Sequence, residues 1–196
     1  MMKNLKALIL FLLPFSCFSQ GDHMTSIMYS VGIPMGETAD YIDEASFRGV
    51  ALTADYFLDD DWSLGLSTGL QTFYQELGSV TYQEDNLTIS GIEYRYVNMI
   101  PAIVMAKYHL NRFAIITPHF GLGAGFHWVA QRTEFAGFQF QENAFRLGIQ
   151  PQAGVGVELS PSTDLIFNTT YHHSFESSDL RAHSFLALQL GLRFIP

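Results

Sequence analysis

Residues 62–74 read Trp62-Ser63-Leu64-Gly65-Leu66-Ser67-Thr68-Gly69-Leu70-Gln71-Thr72-Phe73-Tyr74. Every second residue from Trp62 is aromatic, aliphatic or threonine, whereas the residues between are mostly serine, glycine or glutamine. A period of two puts successive side chains on opposite faces, so this stretch predicts a strand with one apolar face and one small, polar face. It is also long. Strands of soluble proteins cluster near five or six residues, and a strand crossing a bilayer needs about 9–11.

The same alternation recurs along the chain and predicts eight strands, over residues 25–35, 47–58, 62–75, 94–109, 113–129, 144–159, 164–175 and 183–195. The connections at 59–61, 110–112 and 160–163 are short, and those at 36–46, 76–93, 130–143 and 176–182 are longer and polar. Short/long alternation is the pattern of an up-and-down meander whose two ends face different compartments. On the parity that runs from Ile27 to Met35, Val50 to Leu58, Trp62 to Tyr74, Tyr96 to Leu110, Ile116 to Trp128, Phe145 to Leu159, Leu165 to Phe175 and Ser184 to Phe194, no residue is charged. The opposite parity carries Asp55, Gln71, Lys107, His109, His119, His127, Arg146, Gln150, Gln152, Glu158, Asn168, His172, Gln189 and Arg193, with many glycines.

A soluble sandwich also alternates, but its polar face meets water and is rich in charge. Here that face holds few formal charges. Aromatics on the apolar face gather at the strand ends: Tyr56, Trp62, Tyr108 and Phe194 at one, Tyr74, Tyr96, Trp128 and Tyr171 at the other. Two such girdles mark the headgroup levels of a transmembrane barrel. The expected fold is therefore all-β, an eight-stranded antiparallel up-and-down transmembrane β-barrel with no open pore, since eight strands enclose only enough room for side chains. Pro101, Pro118 and Pro151 fall in mid-strand, where each removes a ladder donor, so a bulge or local unpairing is expected at each.

Composition narrows function. The net charge is -9 and the only lysines are Lys3, Lys6 and Lys107, which excludes the basic face a nucleic-acid binder needs. Lys3 and Lys6 precede the apolar run Ala7–Leu13, and Cys17-Phe18-Ser19 offers a small-x-small cleavage site. Residues 1–19 are thus expected to be a cleaved signal peptide and 20–196 the barrel. Lipidation of Cys17 is disfavoured because Pro14-Phe15-Ser16 precedes it. Loss of residues 1–19 removes two lysines and the single cysteine, leaving -9 - 2 = -11.

The segment Tyr96-Val97-Asn98-Met99-Ile100-Pro101 leading to Lys107-Tyr108, and the closing run Leu186-Ala187-Leu188-Gln189-Leu190-Gly191-Leu192-Arg193-Phe194, resemble the small outer-membrane barrels of the OmpA/OmpX shape. They are similar in particular to the porin-like outer membrane protein beta-barrel domain family. The resemblance is one of pattern over residues 24–196. It implies a Gram-negative outer membrane, contact with its lipid, and a terminal-strand aromatic read by the assembly machinery. Ile195-Pro196 follow Phe194, a departure from that ending. No catalytic residue, cofactor or metal site is implied, and a structural, adhesive or protective surface role with an unknown extracellular ligand is expected.

Four patterns invite a chemical reading. Gly121-Leu122-Gly123-Ala124-Gly125 has the wrong spacing and no following helix for a phosphate loop. His119, His127 and His172 share the inner parity but lack ligand spacing. His172-His173-Ser174 places a base and a nucleophile on one face, like the His-x-Ser pair of a lipid A deacylase, but parity turns both inward, away from lipid. An acyl hydrolase acting on lipid A or phospholipid is therefore the alternative function. Glu37, Asp40, Asp43 and Glu44 cluster without calcium-loop spacing and read as a solvated loop. The triplets beginning at Asn86 and Asn168 match a glycosylation signal by chance. Finally, Asp55, Lys107, Glu158 and Arg193 lie inward at the same end of alternate strands and predict a ring of alternating charge.

Overall fold

The computed structural model describes residues 23–84, 87–111, 114–176 and 181–196. The expected signal segment and Asn86 lie outside the described residues. The strands are β1 (His23–Met35), β2 (Ser46–Phe57), β3 (Trp62–Glu84), β4 (Leu87–His109), β5 (Ile116–Phe135), β6 (Phe138–Ser160), β7 (Thr163–Ser174) and β8 (His183–Phe194), with a five-residue helix α1 (Glu37–Tyr41) between β1 and β2. Every strand pairs antiparallel with its neighbours in sequence, and β1 pairs β8 from Thr25↔Phe194 to Met35↔Ser184, closing the barrel. Around the belt where all eight strands run side by side, closure removes the sheet edges.

The parity holds. Ile27, Tyr29, Leu52, Leu66, Val104, Phe120, Leu122, Phe126, Leu147 and Leu190 are exposed on the outer wall, and the inner-parity side chains Asp55, Gln71, Lys107, His119, Gln150 and Arg193 are buried. Trp62 packs against Tyr108 at 5.2 Å and Tyr74 against Tyr96 at 5.0 Å, so the two aromatic girdles sit across paired strands.

Three expectations need correction. Residues 76–93 and 130–143 are not loops: β3 and β4 run on to Glu84 and Leu87, and β5 and β6 to Phe135 and Phe138. Ala136 and Gly137 close the second hairpin with φ of 48° and 87°, the left-handed pair that a two-residue turn demands. The reversed polarity of β6 hides this extension. Gln139, Gln141 and Asn143 continue the outer face as a polar row, while Phe138 and Phe140 continue the inner one. Once a hairpin leaves the apolar belt, nothing demands an apolar outer face.

The prolines also sort by position. Pairing between β3 and β4 lapses from Thr68↔Ala102 to Gln71↔Met99, opposite Pro101, and between β6 and β7 from Ile149↔His173 to Gln152↔Thr170, beside Pro151. The register is the same on both sides of each gap, so these are local unpairings without a bulge. Pro118 causes neither. It lies just past the last β4–β5 pair, His109↔His119, where its carbonyl accepts the Leu110 N–H. The register shifts occur elsewhere, at Ser30/Gly32, Leu77/Ser79 and Glu158/Ser160.

Candidate functional site in the barrel lumen

Near the short turns the lumen is ionic. Lys107 Nζ donates to Asp55 Oδ2 at 2.7 Å, each side chain 3% exposed. The pair reaches across β3 because Gly65 stands directly opposite Asp55, where a Cβ would lie 2.2 Å from Asp55 Oδ1. Arg193 departs from the expected ring. Its Nε and Nη2 donate to Asp164 Oδ2 at 2.9 and 2.5 Å, and Glu158 is exposed at the rim. Asp164 is the direct cross-strand neighbour of Arg193, whereas Glu158 is one strand further off, so the shorter reach wins. The expected ring is thus two separate ion pairs. Asp164 opens the expected strand at 164–175 on the inner parity shared with Asn168 and His172, and that parity is the signal that marks it as luminal.

Hydrogen-bonded side chains flank the ion pairs and continue above them. His109 Nε2 meets Ser63 Oγ at 2.9 Å and His119 Nε2 meets Asn168 Oδ1 at 2.9 Å. Gln150 donates to Ser67 and Gln71 to Ser46. Gly121 and Gly123 oppose Lys107 and Met105, with added Cβ atoms 3.1 Å from Lys107 Cγ and 2.5 Å from Ile103 Cγ2, so this glycine run accommodates its neighbours. Asn168 is fully buried and hydrogen-bonded, which closes it to glycosylation.

Higher still, the lumen turns apolar. Phe73, Val97, Met99, Val129, Phe185 and Ala187 pack with Ile42, the residue after α1, which folds inward. Phe73 meets Phe185 edge-on at 5.4 Å. α1 is fastened here: the Ser184 N–H donates to Thr38 Oγ1 at 2.9 Å and Thr38 Oγ1 contacts His183 Nδ1 at 3.1 Å. On its other side Tyr41 bonds Thr133 Oγ1 at 2.5 Å, and Arg95 donates to the Tyr41 carbonyl at 2.9 Å. Burial raises the Tyr41 phenol above its ordinary value, although the Thr133 and Gln131 hydrogen bonds and the Arg95 charge oppose the rise, so this anchor stays a hydroxyl.

The chemical candidates fare as follows. His172 and Ser174 are both buried, yet they do not form a base–nucleophile pair. The His172 ring stacks on Phe185 at 4.3 Å, and Ser174 Oγ donates to the His183 carbonyl at 3.2 Å. A different pair occurs outside, where His173 Nδ1 meets Ser184 Oγ at 2.7 Å. Ser184 is only 7% exposed, between His173 and Met35 on the flanking strands, so its oxygen lacks the open face an acyl carbon needs. The inner histidines separate into two levels, His109 with His119 at 5.6 Å and His127 with His172 at 5.8 Å. Among the described residues no three His, Cys, Asp or Glu side chains gather to hold a metal. Of the acidic cluster, Asp43 bonds Gln75, while Glu37 and Asp40 border a cavity above the apolar layer.

No protein-family model and no curated protein sequence matches this chain. Solved structures do. Neisserial surface protein A is similar at a TM-score of 0.58 and 12% identity, over 88% of this chain and 95% of that one. The outer membrane protein OprG of Pseudomonas aeruginosa is similar at 0.56 and 13%, over 90% and 96%. Ail, the attachment invasion locus protein of Yersinia pestis, in complex with the heparin analogue sucrose octasulfate, is similar at 0.50 and 14%, over 89% and 97%. The likeness covers nearly the whole described barrel of this chain and nearly the whole of each relative: the chain has the fold of the small outer-membrane β-barrel proteins.

Proposed function

We propose that this protein is an integral outer-membrane barrel that does no chemistry in its wall, fills its lumen for stability, and presents its long hairpins to the outside as a recognition surface. The observation that carries this reading is the outer belt. Trp62 to Tyr74 on β3 is twelve residue steps between the two girdles, with Leu64, Leu66 and Leu70 exposed between them. At ~3.3 Å per residue and a tilt of ~40°, that run covers about 30 Å, the thickness of a bilayer's hydrocarbon core. Water would not tolerate so continuous an apolar wall. Residues 1–19 serve as the export signal, and the assembly machinery inserts the barrel. Short turns then face the periplasm and long hairpins the exterior.

Single cysteines at Gln139 and Asp60 test this in intact cells, against a background from which Cys17 has been cleaved. A membrane-impermeant maleimide is expected to label the first and not the second. Labelling of Asp60→Cys alone would invert the orientation, and equal labelling of both would remove the membrane. Mass spectrometry of lipid A from cells with and without the gene tests the hydrolase alternative: an altered acyl count would overturn the non-enzymatic reading.

A further inference from the structure

Between α1, the β5–β6 hairpin and the start of β8 lies a cavity of about 400 Å³, within the range of small-ligand sites. Its charged lining is mostly acidic. Glu37, Asp40 and Glu142 border it above, against Arg181. His183 borders it below and is only 2% exposed. The fully buried Thr38 hydroxyl accepts the Ser184 N–H, and among the described residues His183 Nδ1 is the acceptor within its reach, so its own proton goes there. The ring proton is then on Nε2, a donor with no hydrogen-bond partner among the described residues.

Arg146 lies next to it. On the inner face of β6 it extends past the end of β7, its Nη1 donating to the Arg181 carbonyl. Its Nε and Nη2 are buried without partners among the described residues, and the side chain is 2% exposed. Buried donors of this kind are costly unless an acceptor meets them. His183, which borders the cavity, supplies one of these donors, and Arg146, bonded to the carbonyl of Arg181 at its edge, supplies two; together they call for an acceptor carrying negative charge, a carboxylate.

The same face of β6 continues upward without a register shift through Glu142 to Phe140 and Phe138, which are 66% and 62% exposed. Read from the tip inward, that column is aromatic, anionic, then cationic. We propose that the cavity binds a short peptide with free termini and an apolar first residue. The first side chain lies on Phe138 and Phe140, its ammonium meets Glu142 with Glu37 and Asp40, and its terminal carboxylate meets His183 Nε2 and the Arg146 guanidinium. A single amino acid is too short, since Glu142 and Arg146 are four residues apart on an extended strand. Access from outside rests on the orientation proposed above, but binding itself does not.

The test is calorimetric titration of the purified barrel in detergent micelles with the dipeptide Phe-Ala. Phe-Ala amide, which lacks the carboxylate, and N-acetyl-Phe-Ala, which lacks the ammonium, are each expected to bind at least about tenfold more weakly, the usual loss for one charge-assisted contact. Ala-Ala should also bind more weakly. Glu142→Gln lies on an exposed strand and does not threaten folding. It should weaken Phe-Ala several-fold and leave N-acetyl-Phe-Ala unchanged. Equal binding of the free and blocked peptides, or no heat with Phe-Ala at millimolar concentration, would overturn the proposal. Binding in micelles that is absent from intact cells would instead fault the orientation.

Discussion

Lys107 and Asp55 are the most exacting test of the lumen. At 2.7 Å and an effective dielectric constant near 20, their attraction is about 6 kcal/mol before desolvation. Burying the two ions offsets most of that, so the pair as a whole is worth little more than an apolar replacement. Breaking it is another matter. In Lys107→Met, Asp55 keeps among the described residues only the Thr53 hydroxyl at 3.4 Å, and Asp55→Asn leaves a buried ammonium facing an amide. Each single change should cost about 3–5 kcal/mol, because one uncompensated charge remains inside. The double variant should cost no more than about 1–2 kcal/mol, and so be more stable than either single variant. Urea unfolding in lipid vesicles, followed by the fluorescence of Trp62 and Trp128, gives all four stabilities. Additive losses, to within about 0.5 kcal/mol, would refute the coupling and leave two independent luminal charges.

Other outcomes follow from the same geometry. Gly156→Val places a Cβ 2.2 Å from Arg193 Nη2 and should displace the guanidinium from Asp164, losing about 1–3 kcal/mol in the same titration. Replacing residues 135–138 by Asn-Gly rejoins the directly opposed Glu134 and Gln139; the shortened barrel should keep its heat-modifiable gel shift and lose less than about 1 kcal/mol, since free hairpin tips bury little. His172→Ala removes the stack on Phe185 and should cost about 2–4 kcal/mol while lipid A acylation, read by mass spectrometry, stays the same. Amino-terminal sequencing of the exported protein should begin at Gln20.

The fold was legible because one constraint acts on every strand of the belt. A charge on the outer wall would meet hydrocarbon, so alternation there is strict, and eight runs announce themselves. That constraint ends at the girdles, and legibility ends with it. Gln139 and Gln141 carry no outward signature, so the hairpins read as loops although their pairing is unbroken from Trp128↔Phe145 to Phe135↔Phe138. Inside, parity identifies which residues enter the lumen but not whom they meet. Lys107 finds the expected partner across Gly65. Arg193 instead meets Asp164 one strand away, a choice that depends on register. The cavity over α1 was the least legible of all. His183 marks only the start of β8, its contact with Thr38 spans 145 residues, and the bond from Arg146 to the Arg181 carbonyl depends on β7 ending early.

The order of layers in the lumen bears on what the barrel does. Ion pairs lie near the short turns, amides and histidines in the middle, and Phe73, Val97, Met99 and Val129 above them with no exposed surface. In the middle layers, a cavity of about 20 Å³ beside Ser67 and Gln71 admits one water. A solute entering at the hairpin end would have to part Phe73 from Phe185 and lift Ile42 before it reached any polar group below. Opening such a contact forfeits several buried side chains at roughly 1.5–3 kcal/mol each. α1 adds to the barrier, tied to β8 through Thr38 and to β5 through Tyr41. Whatever the mouth captures is therefore held above the apolar layer. Under the proposed function, this geometry favours recognition at the rim over passage along the lumen.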